Sequence, residues 1–215
     1  MTRSRKGQQA KAVLAEAARR VLERKGYFNT TIADITAEAG KSNGSFHHYF
    51  ASKDELLLAL ISDHAMRLCA RISPDEHAAG IHTWLGMRAH VREFWRMFEE
   101  QRAESVAIFQ AAMASDDFAR RLRDANANNI EQLAAHLREA QTLGYLPQMD
   151  PCLAAAALAG MLHHACLMWS LPGLRPLGSP DDPEQIIDTL TALALGGIGS
   201  RDPANPEHEQ AARGR

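Results

Sequence analysis

Lysine runs out early in this 215-residue chain: all five lysines lie at or before Lys53. Cysteine is scarce as well. Cys69, Cys152 and Cys166 are odd in number, widely spaced and set in apolar helical sequence. That pattern fits free buried thiols in a reducing, cytoplasmic compartment better than a disulfide scaffold. The opening MTRSRKGQQAK is basic, but no apolar run follows it, so a signal peptide is not expected. There is no HExxH, no closely spaced CxxC and no nucleotide-binding loop. Neither a metal site nor a cofactor nor an enzyme is expected. Nothing in the pattern calls for a strand, and there is no internal repeat. Residues 151–174 lack Asp, Glu, Lys and Arg altogether, a length that suffices for a membrane span. The pair His163-His164, the run of alanines and the break at Pro172-Gly173 argue instead for a helix buried in a soluble bundle or a subunit interface.

What is present divides unevenly. Residues 1–55 carry ten Lys/Arg against six Asp/Glu, a net of +4. Residues 56–215 carry fourteen against twenty, a net of -6. A basic head on an acidic body suits a protein that meets a polyanion at one end only. The hydrophobic share, 46%, is ample for a core.

From Lys6 to Arg24 the residues Ala10, Val13, Leu14, Ala17, Ala18 and Val21 recur at three and four, the helical period. Gly26 is a natural C-cap, with Tyr27 and Phe28 as packing aromatics after it. Thr31 with Asp34 predicts an approximate capping box for a short helix whose inner side is Ile32, Ile35 and Ala39. Gly40 ends that helix in a sharp turn, and Ser42 caps a second short one. Phe46, Tyr49 and Phe50 point inward; Ser52 with Glu55 starts a fourth helix led by Leu56, Leu57 and Leu60. His64, near that helix's apolar side, reads as a core or interface histidine. Further helices are expected at 75–100, 103–113, 116–141, 151–171 and 183–196. The fold class is therefore all-α: a three-helix head followed by a larger helical body.

Residues 30–50 form a helix-turn-helix, the shape that places a helix in a DNA major groove. Asn43, Ser45, His47 and His48 project polar groups outward. Asn can pair bidentately with adenine, and Ser can reach base or phosphate. Gly44 lets backbone approach the duplex. Thr31, Lys41 and Lys53, with Arg3, Arg5 and Lys6 on the N-terminal arm, offer phosphate contacts that add affinity rather than sequence choice.

The run resembles the DNA-binding head of the TetR family of transcriptional regulators. The resemblance rests on Ala39-Gly40-Lys41-Ser42, on Gly44-Ser45-Phe46-His47-His48-Tyr49-Phe50 and on Ser52-Lys53-Asp54-Glu55-Leu56. It covers about residues 8–60. It implies that Ser42, Asn43, Gly44, Ser45, His47 and His48 face the groove, with Thr31 and Lys53 as phosphate anchors. Three departures stand out: Lys41 where the family packs valine, Thr36 for a common alanine, and His47 for a tyrosine.

In the body, Trp84, Trp95, Phe98, Phe109 and Met113 lie on three consecutive expected helices, and Met161, His164, Met168 and Trp169 on another. They fit core packing or the lining of an apolar cavity. The resemblance implies a cavity holding a small-molecule effector. Arg88, Arg92 and Arg96 form an i, i+4, i+8 stripe read as a solvated face. Small residues 154–157, Ala159 and Gly160, with Leu153, Leu158, Leu162, Leu167, Ile186, Ile187, Leu190 and Leu193, suit close helix packing, so 151–171 and 183–196 are the expected homodimer interface. The division by role is thus 1–52 for DNA, 53–199 for ligand and dimer, and 200–215 as a disordered tail. The expected function is a sequence-specific regulator, a repressor on a palindromic double-stranded operator. The alternative is a DNA-binding protein whose body only dimerises.

Overall fold

The computed structural model describes residues 2–61, 68, 70–145, 149–171, 173–175, 178 and 181–198. The expectations for His64, Cys69 and the tail 200–215 fall outside them. Apart from one bridge residue at Tyr145, regular structure among the described residues is helical. The helices are α1 (Thr2–Asn29), α2 (Ile32–Glu38), α3 (Asn43–His47), α4 (Lys53–Ile61) and α5 (Pro74–Ala78). They continue as α6 (Trp84–Glu100), α7 (Arg102–Ala114), α8 (Asp116–Thr142), α9 (Pro151–Ser170) and α10 (Pro183–Ile198). Within α1 the helix breaks at Gly26, where φ is 69°.

The chain forms two compact units, Met1–Asp63 with Gln101–Asn126, and His64–Glu100 with Ala127–Arg215. Packing therefore divides the chain differently from the division by role. The first unit recruits α7 and the start of α8 to complete a core that three short helices cannot fill. That core joins Leu14, Ala17, Ala18 and Leu22 of α1 to Ile35, Phe46 and Phe50, to Leu56, Leu57 and Leu60, and to Ala107, Ile108, Ala111 and Phe118. Burying a side chain such as Phe46 contributes about 1.5–3 kcal/mol. Two expected packing residues lie outward: Val13 and Phe28 are exposed. Across α1 and α7, Arg19 Nε donates to the buried carboxylate of Glu104.

The second unit packs Met87, Val91, Trp95 and Phe98 of α6 against Ala134 and Leu137 of α8, Leu162 and Cys166 of α9, and Ile186, Ile187 and Leu190 of α10. The single helix expected over 75–100 is two. Gly80 turns the chain at φ 74°, and a β-carbon at Gly86 would collide with the Gly80 carbonyl oxygen, so the glycine pair permits the close crossing that separates α5 from α6. Nor is the arginine stripe a solvated face. Arg88 is held by Glu184 and Asp188, each at 2.6 Å, and Arg92 by Glu76 at 2.9 Å; only Arg96 is exposed. Of the two thiols described, Cys166 is buried, with its pKa pushed up by burial and then by Glu99, whereas Cys152 is exposed rather than buried. Helix α9 is long and apolar enough to cross a membrane by length and composition, with a mean hydropathy of 1.5. Its Ala155, Leu162, Ala165 and Cys166 are buried within the second unit, while Leu153, Ala156, Ala157 and Gly160 are exposed along one side.

Candidate nucleic-acid interface

Everything in this site lies in the first unit. Thr31 Oγ1 accepts from the Asp34 amide at 3.2 Å, and the Asp34 carboxylate accepts from the Thr31 amide at 3.0 Å, a complete capping box at the start of α2. The Asp34 carboxyl is held down at about 2, first by Lys25 and then by Thr31. At the other end the Lys41 amide donates to the Thr36 carbonyl at 2.8 Å and the Gly40 amide to Ala37 at 3.2 Å. With Gly40 at φ 60°, this is a Schellman closure, which satisfies the last carbonyls and reverses the chain within a few residues. Space around Gly40 is open, so alanine there costs only backbone strain. Gly40→Ala is expected to lower unfolding free energy by about 1–2 kcal/mol in urea titration. A neutral result would mean that the turn does not depend on the left-handed conformation.

Ser42 then caps α3, its hydroxyl accepting from the Ser45 amide at 3.2 Å. Phe46 and Phe50 are buried with ring centroids 5.6 Å apart, and they fix the inner side of the helix. The opposite side carries Ser42, Asn43, Gly44, His47 and His48, all exposed; Ser45 is half-buried. The His48 ring stands edge-on to Tyr49 at 4.7 Å.

Sequence reasoning missed one contact within this surface. Thr36, only 3% exposed, brings its hydroxyl 2.7 Å from Asn43 Oδ1, with the Ile32 and Ala33 carbonyls at 3.0 and 3.2 Å as competing acceptors. The residue that departs from the family's alanine thus links α2 to the first residue of α3 and orients its carboxamide. The signal lay in a hydroxyl at an otherwise apolar helix position, but its partner was not readable from spacing.

The basic residues divide into two groups. Arg20 and Arg24 are occupied by Glu38 at 2.7 and 2.6 Å, and Lys25 by Asp34 at 2.6 Å. These exposed pairs add little stability each but hold α2 against α1. Lys53 points inward: its ammonium donates to the carbonyls of Tyr27 at 2.8 Å and Thr30 at 2.9 Å, and lies 3.9 Å from the centre of the Tyr27 ring. Burial lowers its pKa. Beside it Asp54 accepts from the Tyr27 hydroxyl at 2.9 Å; burial, then Asp54, pushes that phenol up to about 12. Lys53 therefore secures the α1–α2 link, spending two of its three ammonium protons on it. Lys41, by contrast, is exposed, and among the described residues no ion pair engages it.

The residues expected to line an effector cavity fall in both units. Trp95 and Phe98 are buried in the core of the second unit, and Met161 and Trp169 pack against that core. Met168 is half-buried, while Trp84 and His164 are exposed. Phe109 and Met113 belong to the first unit, where Met113 is 88% exposed. The indole Nε1 of Trp169 is buried with no hydrogen-bond acceptor among the described residues.

Comparison with known proteins fits this geometry. The family described as bacterial regulatory proteins, tetR family, matches residues 14–60, and the C-terminal domain of AefR-like transcriptional repressors matches residues 86–196. The regulator BetI of Brucella canis is 31% identical over 140 residues, 58% of this chain and 68% of BetI. The regulator EthR of Mycolicibacterium smegmatis is 24% identical over 192 residues, 89% of this chain and 87% of EthR. The crystal structure of FadR from Bacillus subtilis in complex with stearoyl-CoA shares the fold, with a TM-score of 0.71 at 16% identity over 87% of this chain and 98% of FadR.

Proposed function

The chain belongs to the tetR family of bacterial regulatory proteins and is a DNA-binding transcriptional regulator, and from that premise we propose that it is a homodimeric repressor whose operator affinity is set by a small apolar or amphipathic ligand. The observation that carries this reading is α3. Phe46 within it and Phe50 just after it are buried and lock the helix, and its exposed side is a short row of hydrogen-bonding groups beside the exposed Lys41. Ser42, Asn43, Gly44, Ser45, His47 and His48 read base edges, and Thr31, Lys41 and the last proton of Lys53 meet phosphates.

Two copies are needed, because one short helix reads too few bases for specificity. The exposed apolar side of α9, from Leu153 through Ala156 and Ala157 to Gly160, together with the exposed Leu193 on α10, supplies the pairing surface. The ligand reading draws support from the orphaned indole of Trp169, a buried donor that an acceptor atom on a bound molecule would satisfy. FadR of Bacillus subtilis, solved with stearoyl-CoA, supports it from a related fold. The ligand acts only to the extent that it binds one arrangement of the two heads better than another. The roles assigned to 1–52 and 53–199 belong to this proposal.

Salt dependence tests the DNA surface. Lys41→Ala is expected to reduce the slope of log affinity against log salt by about one unit and to weaken binding evenly across operator variants. Unchanged slope and affinity would remove Lys41 from the interface.

A further inference from the structure

Three histidines converge in the second unit, each from a different helix: His77 on α5, His90 on α6 and His136 on α8. Their ring centroids are 6.0 Å apart for His77–His90, 5.0 Å for His77–His136 and 5.6 Å for His90–His136. One nitrogen from each lies within 4.8 Å of the other two. We propose that these three imidazoles form a binding site for a divalent transition metal of the zinc, nickel or copper class.

His90 carries the argument. Its Nδ1 lies 2.8 Å from the Gly86 carbonyl, one turn back on α6, and there it can only donate. Donation by Nδ1 leaves Nε2 as a bare lone pair. That atom is buried and has no hydrogen-bond partner among the described residues. An acceptor left without a donor inside a protein is uncommon, and here two further imidazoles lie beside the same ring. A carbonyl that orients one ring nitrogen while the other stays free is the arrangement that positions metal-ligating histidines.

The charges around the cluster fit. Burial first, and then the neighbouring imidazoles, lowers the pKa of His90 and His136 toward the neutral form that coordinates. Glu76, adjacent to His77, is committed elsewhere. Its oxygens accept from Arg92 at 2.9 and 3.2 Å and from the Ser73 hydroxyl at 2.9 Å. The donor set is therefore three nitrogens and no carboxylate, which suits borderline cations and disfavours magnesium and calcium. A tetrahedral ion with bonds of about 2.1 Å needs its nitrogens about 3.4 Å apart. Each pair closes from at most 4.8 Å by about 1.4 Å or less, within reach of side-chain rotation at exposed His77 and half-buried His136. The fourth position is left to water or a small ligand.

The test uses the untagged full-length chain, stripped with EDTA and dialysed, and titrated with zinc chloride against a competing chelator. One zinc per chain, a rise in Tm with zinc but not with magnesium, and a visible d–d band on cobalt substitution are expected. His77→Ala, on an exposed side chain, should weaken zinc binding about tenfold or more and remove the cobalt band; His136→Asn should do the same. Should the His136 variant unfold, His77→Ala decides alone. The site is refuted if the wild-type chain takes up no zinc, or if zinc and cobalt bind the His77 variant as they bind the wild type. None of these readouts involves DNA, so failure here leaves the regulatory reading untouched.

Discussion

Arg19→Met is expected to cost the chain about 3–5 kcal/mol of unfolding free energy. Glu104, on α7, is 1% exposed, and the Arg19 guanidinium on α1 is its ion-pair partner. Removing the cation takes away a charge that offsets the desolvation of this buried carboxylate. Methionine keeps the length and apolar stem of arginine, so the loss is one of charge rather than of packing. The partner change distinguishes this explanation from a simple cavity. Arg19→Met with Glu104→Met should recover most of the lost stability, because a well-packed apolar pair avoids burying either charge. Urea denaturation followed by circular dichroism measures both variants. A single variant within about 0.5 kcal/mol of wild type would mean that the pair is ordinary surface electrostatics.

Asn43→Asp is expected to weaken operator binding roughly a hundredfold, equivalent to about 2.7 kcal/mol, while leaving the fold intact. Asn43 is the first residue of α3, where a carboxylate is favourable to the helix. Aspartate also keeps an oxygen for the Thr36 hydroxyl, which lies 2.7 Å from Oδ1. What it loses is the amide donor. An Asn–adenine pair is worth about 1–3 kcal/mol of discrimination, and the new charge faces a polyanion. Fluorescence anisotropy at fixed salt, with Tm recorded beside it, separates the two effects. Wild-type affinity in a normally folded Asp variant would place Asn43 outside the groove.

How much of this was legible in the sequence follows the range of the interactions. The Thr31–Asp34 box, the Ser42 cap and the turn at Gly40 are all made within a few residues, and local hydrogen-bond rules are written in local sequence. The inward set of Phe46, Tyr49 and Phe50 was equally readable from spacing, with Tyr49 half-buried and both phenylalanines buried. What escaped depends on distant partners. Lys53 reads as a free cation until the Tyr27 and Thr30 carbonyls are seen around it. Arg88 and Arg92 read as a solvated stripe until Glu184, Asp188 and Glu76 close on them. The split between α5 and α6 was missed because Gly80 and Gly86 matter as a crossing, not as single residues. The candidate effector set could not be separated from core packing by pattern alone. Aromatic and sulfur side chains on helices fill a core or line a cavity with the same periodicity, and here Phe109 and Met113 lie in a different unit from Trp95 and Trp169.

The central claim is that α3 enters a duplex, with a second copy holding the register. Selection of duplexes by the purified protein from a random pool, sequenced after several rounds, measures this most directly. The expected result is an inverted repeat with half-site centres about one helical turn, or a multiple of it, apart. A pool that emerges with no shared sequence, even at low salt, would contradict it.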